Sequence, residues 1–289
     1  MMTGDAYSPS KIRSDVPFLA AIWGISGMYV LLIIAVLAAD ASYTSVNELW
    51  SAVNDPDVRA SIWLTLQTCT ITAILSVIVS VPAGYVLARY NFPLKRLFDS
   101  ILDIPIVLPP LVIGLSLLIL FNQVMIGGQS IEKWLGEWLS GLHAWNDSIP
   151  SGVTYRIPAI IIAQFTVSCA FAVRTMRNTF DGIDPRQEEV AMTLGCGRSG
   201  AFWLIALPQA SRGVIAAGTL AWARALGEFG PVLVFAGATR GSTEVLATTV
   251  FLEISIGNLE GAVAVSFLMI AVAIMVLTGV RILGMRQTV

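Results

Sequence analysis

The sequence predicts an all-α membrane protein of six transmembrane helices, with residues 1–289 forming a single transmembrane domain. Three observations carry that prediction. The 289 residues are 56% hydrophobic and only 12% charged, with a mean hydropathy of +0.77, whereas a soluble domain averages about 25% charged residues. The apolar residues run in long blocks instead of short periodic runs. Lysine and arginine collect on one side of those blocks. A net charge of −2 offers no basic face to nucleic acid.

A helix needs about 20 apolar residues to cross the hydrocarbon core. Six stretches qualify: Pro17–Ala39, Ser61–Ala88, Leu97–Phe121, Ile157–Phe180, Val214–Phe235 and Ala262–Leu283. The second is the longest and must tilt or protrude. Lys11 and Arg13 ahead of the first mimic a signal peptide. The block is too long for one and no small-residue cleavage site follows, so it reads as a retained span. Cys69, Cys169 and Cys196 are far apart and read as small apolar residues. His143 is the only histidine, so no clustered metal ligands are predicted.

Positive charge orients the spans. With the N-terminus cytoplasmic, the inner side holds Lys11, Arg13, Arg89, Lys95, Arg96, Arg174, Arg177, Arg186, Arg198, Arg212, Arg281 and Arg286. The outer side holds only Arg59, Lys133, Arg156 and Arg240. Both termini are therefore expected inside a multi-pass protein of the cell membrane.

Two outer loops are amphipathic. Val46, Leu49, Trp50 and Val53 recur at helical spacing. Ile131, Trp134, Leu135, Trp138, Leu139 and Leu142 do so opposite Glu132, Lys133 and Glu137. Such helices lie in the membrane interface, where they seal the bundle or help dock an outer partner. In the third span, Pro105, Pro109 and Pro110 remove backbone donors. Interrupted backbone at that depth survives when buried in protein or lining a cavity. The prolines thus read as pore lining or as a packing kink.

The inner loop 181–212 is the most structured connection. Asp184 suits an N-cap, Pro185 the first helical position and Gln187 a capping-box partner. Gly195 suits a left-handed stop. A second short helix is expected near Ser199–Leu207, ended by Pro208. So much local structure points to a docking element for a soluble partner.

In this loop Glu189, Val190, Ala191, Gly195, Ile205, Leu207 and Pro208 resemble, in residue and spacing, the EAA motif of permease subunits of ATP-binding-cassette (ABC) importers. Val190 stands where that family usually has alanine, a mild increase in volume. The run from Arg224 to Gly230, which includes Glu228 and Phe229, is similar to a segment of permeases for sulfate, molybdate and tungstate. So is the run from Leu102 to Pro110. The resemblance covers about residues 60–283. It implies a type I importer bundle whose inner loop is the coupling helix for an ATPase. It also implies two ATPase copies, a second permease copy forming a homodimer, and an extracytoplasmic oxyanion-binding protein. No G-x-x-x-x-G-K-[ST] phosphate loop occurs, so ATP hydrolysis is assigned to the partner subunit and this chain is expected to bind no cofactor.

Arg224 falls near mid-membrane, where a lone charge costs about 2.5–3.5 kcal/mol on insertion scales. Glu228, one turn on, can neutralise it. The two form a structural ion pair, or Arg224 lines the path and attracts an oxyanion.

The resulting expectation is a non-enzymatic permease for a tetrahedral oxyanion, molybdate or tungstate ahead of sulfate, working by alternating access. The alternatives are the same architecture carrying an amino acid or phosphate, an intramembrane enzyme, or a passive channel. An enzyme would need a paired acid–base or metal constellation in the spans, and none is evident. A channel has no use for an ATPase-docking loop.

Overall fold

A computed structural model describes residues 16–143 and 152–286. Lys11 and Arg13, and the side chains of Val46, Trp138, Leu139, Leu142, Arg281 and Arg286, lie outside what is described. The chain divides into two units at Ser45. The first holds α1, Val16–Tyr43, apolar along its length.

The second unit opens with the short amphipathic α2, Val46–Asn54. Next comes α3, Pro56–Arg89, at 34 residues the longest helix among the described residues. Its start is set by Asp55, whose side chain accepts from the Asp57 and Val58 amides at 2.8 and 3.4 Å, with Pro56 at the first helical position. This places its beginning five residues before the predicted Ser61. The face that α3 buries is mostly small, with a stripe of Ser61, Thr65, Thr68, Thr72, Ser76, Ser80 and Gly84 beside Cys69 and Ala73. Such a stripe lets helices approach closely. Here α3 packs against α7, Ile157–Asp181, and α11, Ser211–Leu226. Gln164 of α7 sits between them, bonded to the Thr72 hydroxyl and the Ala225 carbonyl, both at 3.2 Å. Met176, Phe180, Ala217, Ala221 and Trp222 fill the core of this trio.

The predicted third span is two helices. α4, Lys95–Val107, and α5, Pro110–Gln123, bend by 112° at Leu108–Pro109. Pro105 does not cause the break, because it lies inside α4; Pro110 occupies the favoured first position of α5. The predicted fifth span is also interrupted. α11 stops at Leu226, and the chain passes through Gly227–Phe229 before α12, Gly230–Phe235. Ile113, Leu117, Phe121, Val232 and Phe235 join α5, α12 and α7 in a second core.

A small hairpin, β1 (Met125–Ile126) and β2 (Gln129–Ser130), leads into α6, Ile131–His143, the second predicted amphipathic helix. The apolar helix α13, Leu246–Ser255, was not predicted, and α14, Leu259–Arg286, is the last long one. Among the described residues, α1, α3, α7 and α14 are each long and apolar enough to span a membrane. Counting the pair α4 and α5, and the pair that runs from Arg198 to Leu226, raises the number to six.

Candidate functional site

In the loop 181–212, α8 spans Arg186–Thr193. Asp184 does accept from the Arg186 amide at 3.0 Å, but the cap position falls on Pro185. The predicted capping box does not form. The Gln187 side chain bonds instead to Gln209, across the loop. The stop at Gly195 is as predicted: its φ is +94°. The Cys196 amide reaches the Ala191 carbonyl at 3.0 Å and the Gly195 amide reaches Met192 at 3.1 Å. Together they make the Schellman arrangement that closes a helix sharply.

Beyond the stop lie α9, Arg198–Ala201, a π turn, Phe202–Ala206, and α10, Leu207–Gln209. Pro208 does not end the helix. The wider π turn pairs the Leu207 amide with Phe202, so the chain passes through the proline and bends only beyond Gln209. Glu189, Val190 and Gly195 are exposed, Ala191, Ile205 and Leu207 half-buried, and Pro208 exposed. Val190 and Leu194, at 57% and 83% exposed, give α8 an unpartnered apolar edge beside Glu189.

Sequence reasoning missed the neighbouring acid. Glu188 is buried, and both its oxygens are used. The Tyr85 hydroxyl donates to one at 2.6 Å and Arg89 Nε to the other at 2.8 Å. Arg89 also donates to the carbonyls of Phe180 and Ile183, each at 2.9 Å. The available signal was an arginine at the C-terminal end of a long apolar span, together with two adjacent acids in the loop 181–212.

The two interrupted spans meet at their breaks. A Cβ on Gly230 would fall 2.9 Å from the Pro110 Cβ, and one on Gly114 would fall 2.9 Å from the Pro231 Cα. Pro109 and Pro110 are exposed and Pro105 half-buried. Phe229 packs against Phe251 with ring centres 5.0 Å apart and the rings tilted by 45°. Arg224 Nη2 lies 2.8 Å from Glu228 Oε1, so the predicted pair forms. That contact is off the hydrogen-bond line, since the same oxygen has no hydrogen-bond partner. Glu228 is 1% exposed and the Arg224 side chain 34%. The guanidinium also sits 5.4 Å from the centre of the Phe171 ring.

Between α4 and the C-terminal part of α7, Arg174 pairs with Asp103 at 3.0 Å and Arg177 with Asp99, lining a cleft with Leu87 and Asn178. Among the described residues no group of three or more metal-ligating side chains occurs.

Several long apolar helices and two interrupted spans that meet at their breaks suit a multi-pass membrane protein. Residues 80–287 match the family described as binding-protein-dependent transport system inner membrane component, and the chain belongs to that family. It is 29% identical to the sulfate transport system permease protein CysT of Escherichia coli K12, over 95% of each chain. It is 30% identical to the molybdenum transport system permease protein ModB of Mycobacterium tuberculosis, over 92% of this chain and 94% of the relative. A bacterial alginate ABC transporter, crystallised with its alginate-bound periplasmic protein, superimposes with a TM-score of 0.70 at 14% identity, covering 95% of this chain and 96% of that one. An amino acid ABC transporter gives 0.54 at 17% identity, covering 84% and 100%. At such identities these two structures speak to the fold alone, and that fold is the type I importer bundle. The chain is therefore an ABC importer permease in a cell membrane, a transport component and not an enzyme.

Proposed function

We propose that this permease imports a tetrahedral oxyanion, molybdate or tungstate ahead of sulfate. The observation that carries the reading is the match over more than nine-tenths of the chain to permeases named for sulfate and for molybdenum. The chain works with two copies of a soluble ATPase, which hydrolyses the ATP, and with an extracytoplasmic binding protein that delivers the anion. A second copy of this chain completes the path.

In this reading α8 is the coupling helix. Glu189 and the exposed edge of Val190 and Leu194 fit a groove on the ATPase, and Ala191, Gly195, Ile205, Leu207 and Pro208 shape the loop behind them. Closure of the ATPase pair drives the loops together, and the spans reorient. The path runs past the breaks, where Pro105, Pro109, Pro110, Arg224, Glu228 and Phe229 lie. Arg224 suits an oxyanion because, among the described residues, its guanidinium makes a single off-line ion contact and donates no hydrogen bond. Its planar fork matches tetrahedral oxygen pairs. Substitutions at Leu111–Leu115 or Leu226–Phe229 then alter transport while assembly persists.

Competitive uptake of labelled molybdate, tungstate and sulfate tests the reading, in vesicles holding the permease with its ATPase and binding protein. ATP-dependent uptake of one of them supports it. Uptake of none, with ATP hydrolysis intact, overturns the oxyanion assignment.

A further inference from the structure

We propose that Glu188, Arg89 and Tyr85 form the strut through which a push on the coupling helix reaches the membrane. The proposal rests on reading α8 as that helix. Glu188 and Glu189 are adjacent, but one is 5% exposed and the other faces outward. α8 thus presents one carboxylate to a partner and drives the other into its own protein.

The strut crosses a long gap in sequence. Glu188 lies 103 residues from Tyr85 and 99 from Arg89, yet it meets both. Chain connectivity alone would carry a push on the loop into the end of α7 and the start of α11. Through the strut it also enters α3, the longest described helix, at its inner end. One guanidinium serves three elements, because Arg89 of α3 holds Glu188 of α8 and the carbonyls of Phe180 and Ile183. The Tyr85 ring adds the loop's second half. It lies edge-on to Phe180 at 5.3 Å and to Phe202 of the π turn at 4.8 Å.

There is no slack behind the strut. A Cβ on Gly84 would fall 2.7 Å from the Met176 Cβ and 2.8 Å from the Arg177 amide nitrogen, so α3 and α7 touch backbone to backbone. A Cβ on Gly213 of α11 would collide with Thr179 of α7. The inner ends of α3, α7, α8 and α11 therefore move as one piece. α4 is tied differently. It buries no residue of its own, its ion pairs to α7 are half open to solvent, and the chain breaks after it. A push delivered through Glu188 shifts the close-packed piece relative to α4.

The decisive measurement is the number of ATP molecules hydrolysed per anion imported, with labelled molybdate, tungstate and sulfate offered together. The variants are Tyr85→Phe and Arg89→Lys, which keep the size and the charge, with Arg89→Ala as the severe case. A second reading needs no solute: ATP-dependent thiol labelling of a cysteine placed at Val107 of α4, which is 81% exposed. The proposal expects Tyr85→Phe and Arg89→Lys to insert, to retain the ATPase and to hydrolyse ATP. The ATP-to-anion ratio should rise about five-fold or more, the scale of one lost hydrogen bond, and the ATP-dependent change at Val107 should shrink. An unchanged ratio and unchanged labelling in assembled transporters overturn the strut. So does loss of ATPase retention with a normal ratio in what remains, since the residues then merely hold the loop in shape. Glu189→Lys separates the underlying reading. If it leaves retention and uptake at wild-type values, α8 is not the coupling helix, whatever the strut variants do.

Discussion

Gly230 of α12 lies against Pro110 of α5, with 2.9 Å left for any Cβ, and Gly114 of α5 lies equally close to Pro231 of α12. Each interrupted span offers a glycine to the other's proline. The two breaks are thus a single joint, and space at that joint is what the glycines supply. Gly230→Ala and Gly114→Ala should each cost about 1–3 kcal/mol through overpacking. The double variant should depart from additivity because both clashes press on one interface. Thermal midpoints of the detergent-solubilised transporter check this; unshifted midpoints would mean that the joint yields freely.

Arg224→Ala should lower stability, because it strands Glu228, which is 1% exposed. Breaking a fully buried pair costs about 3–5 kcal/mol. The effect here is smaller because the arginine side chain is 34% exposed and water screens it. Replacing Arg224 and Glu228 together with apolar residues should restore expression. Uptake then decides the role of Arg224: normal expression with no uptake assigns it to the anion path, and recovered uptake leaves it a packing pair.

Gly195 holds φ at +94° to close α8, a geometry that costs a residue with a Cβ about 1 kcal/mol or more. Gly195→Leu should leave membrane insertion intact and reduce both ATPase co-purification and ATP-dependent uptake. Glu189→Lys should act the same way by reversing a charge on the face proposed to dock the ATPase. Wild-type values for both variants in both assays would remove α8 from the coupling role.

Topology has its own test. Cysteines placed at Asp5 and Gln287 should react with impermeant thiol reagents only from the cytoplasmic side, as the lysine and arginine bias requires. Labelling of either from outside would exclude the six-span arrangement with both ends inside.

The unbroken spans were legible because a continuous apolar block carries its own evidence. The stop at Gly195 was legible too, since its geometry depends on neighbouring residues alone. The third span announced a disturbance through its prolines, but not its size, and Pro105 proved compatible with a helix. The break at Gly227–Phe229 was hidden, because glycine is ordinary in membrane helices and the Ala225 carbonyl keeps its partners across it, the Glu228 amide at 3.2 Å and the Gln164 side chain, 61 residues away. The ten-residue α13 is too short to register as a span. Glu188 and Glu189 could not be told apart locally. Which of them turns inward is decided by Tyr85 and Arg89, about a hundred residues earlier.

The division between unbroken and interrupted helices also sets an order of assembly. α3 answers its own hydroxyls: Thr65 donates to the Ser61 carbonyl at 2.6 Å, and Thr68 and Ser80 donate to Thr65 and Val77, each at 3.3 Å. Such self-bonded hydroxyls let most of this helix enter lipid before its neighbours exist, while Thr72, Tyr85 and Arg89 wait for Gln164 and Glu188. α5, with 14 residues, reaches about 21 Å at 1.5 Å per residue and falls short of a hydrocarbon core about 30 Å thick. α12, with six residues, falls shorter still. These pieces complete a crossing only against helices already in place. A ribosome releasing this chain therefore hands the membrane α5 well before α12, and the notch cut by Gly114 stays open until Pro231 arrives to fill it.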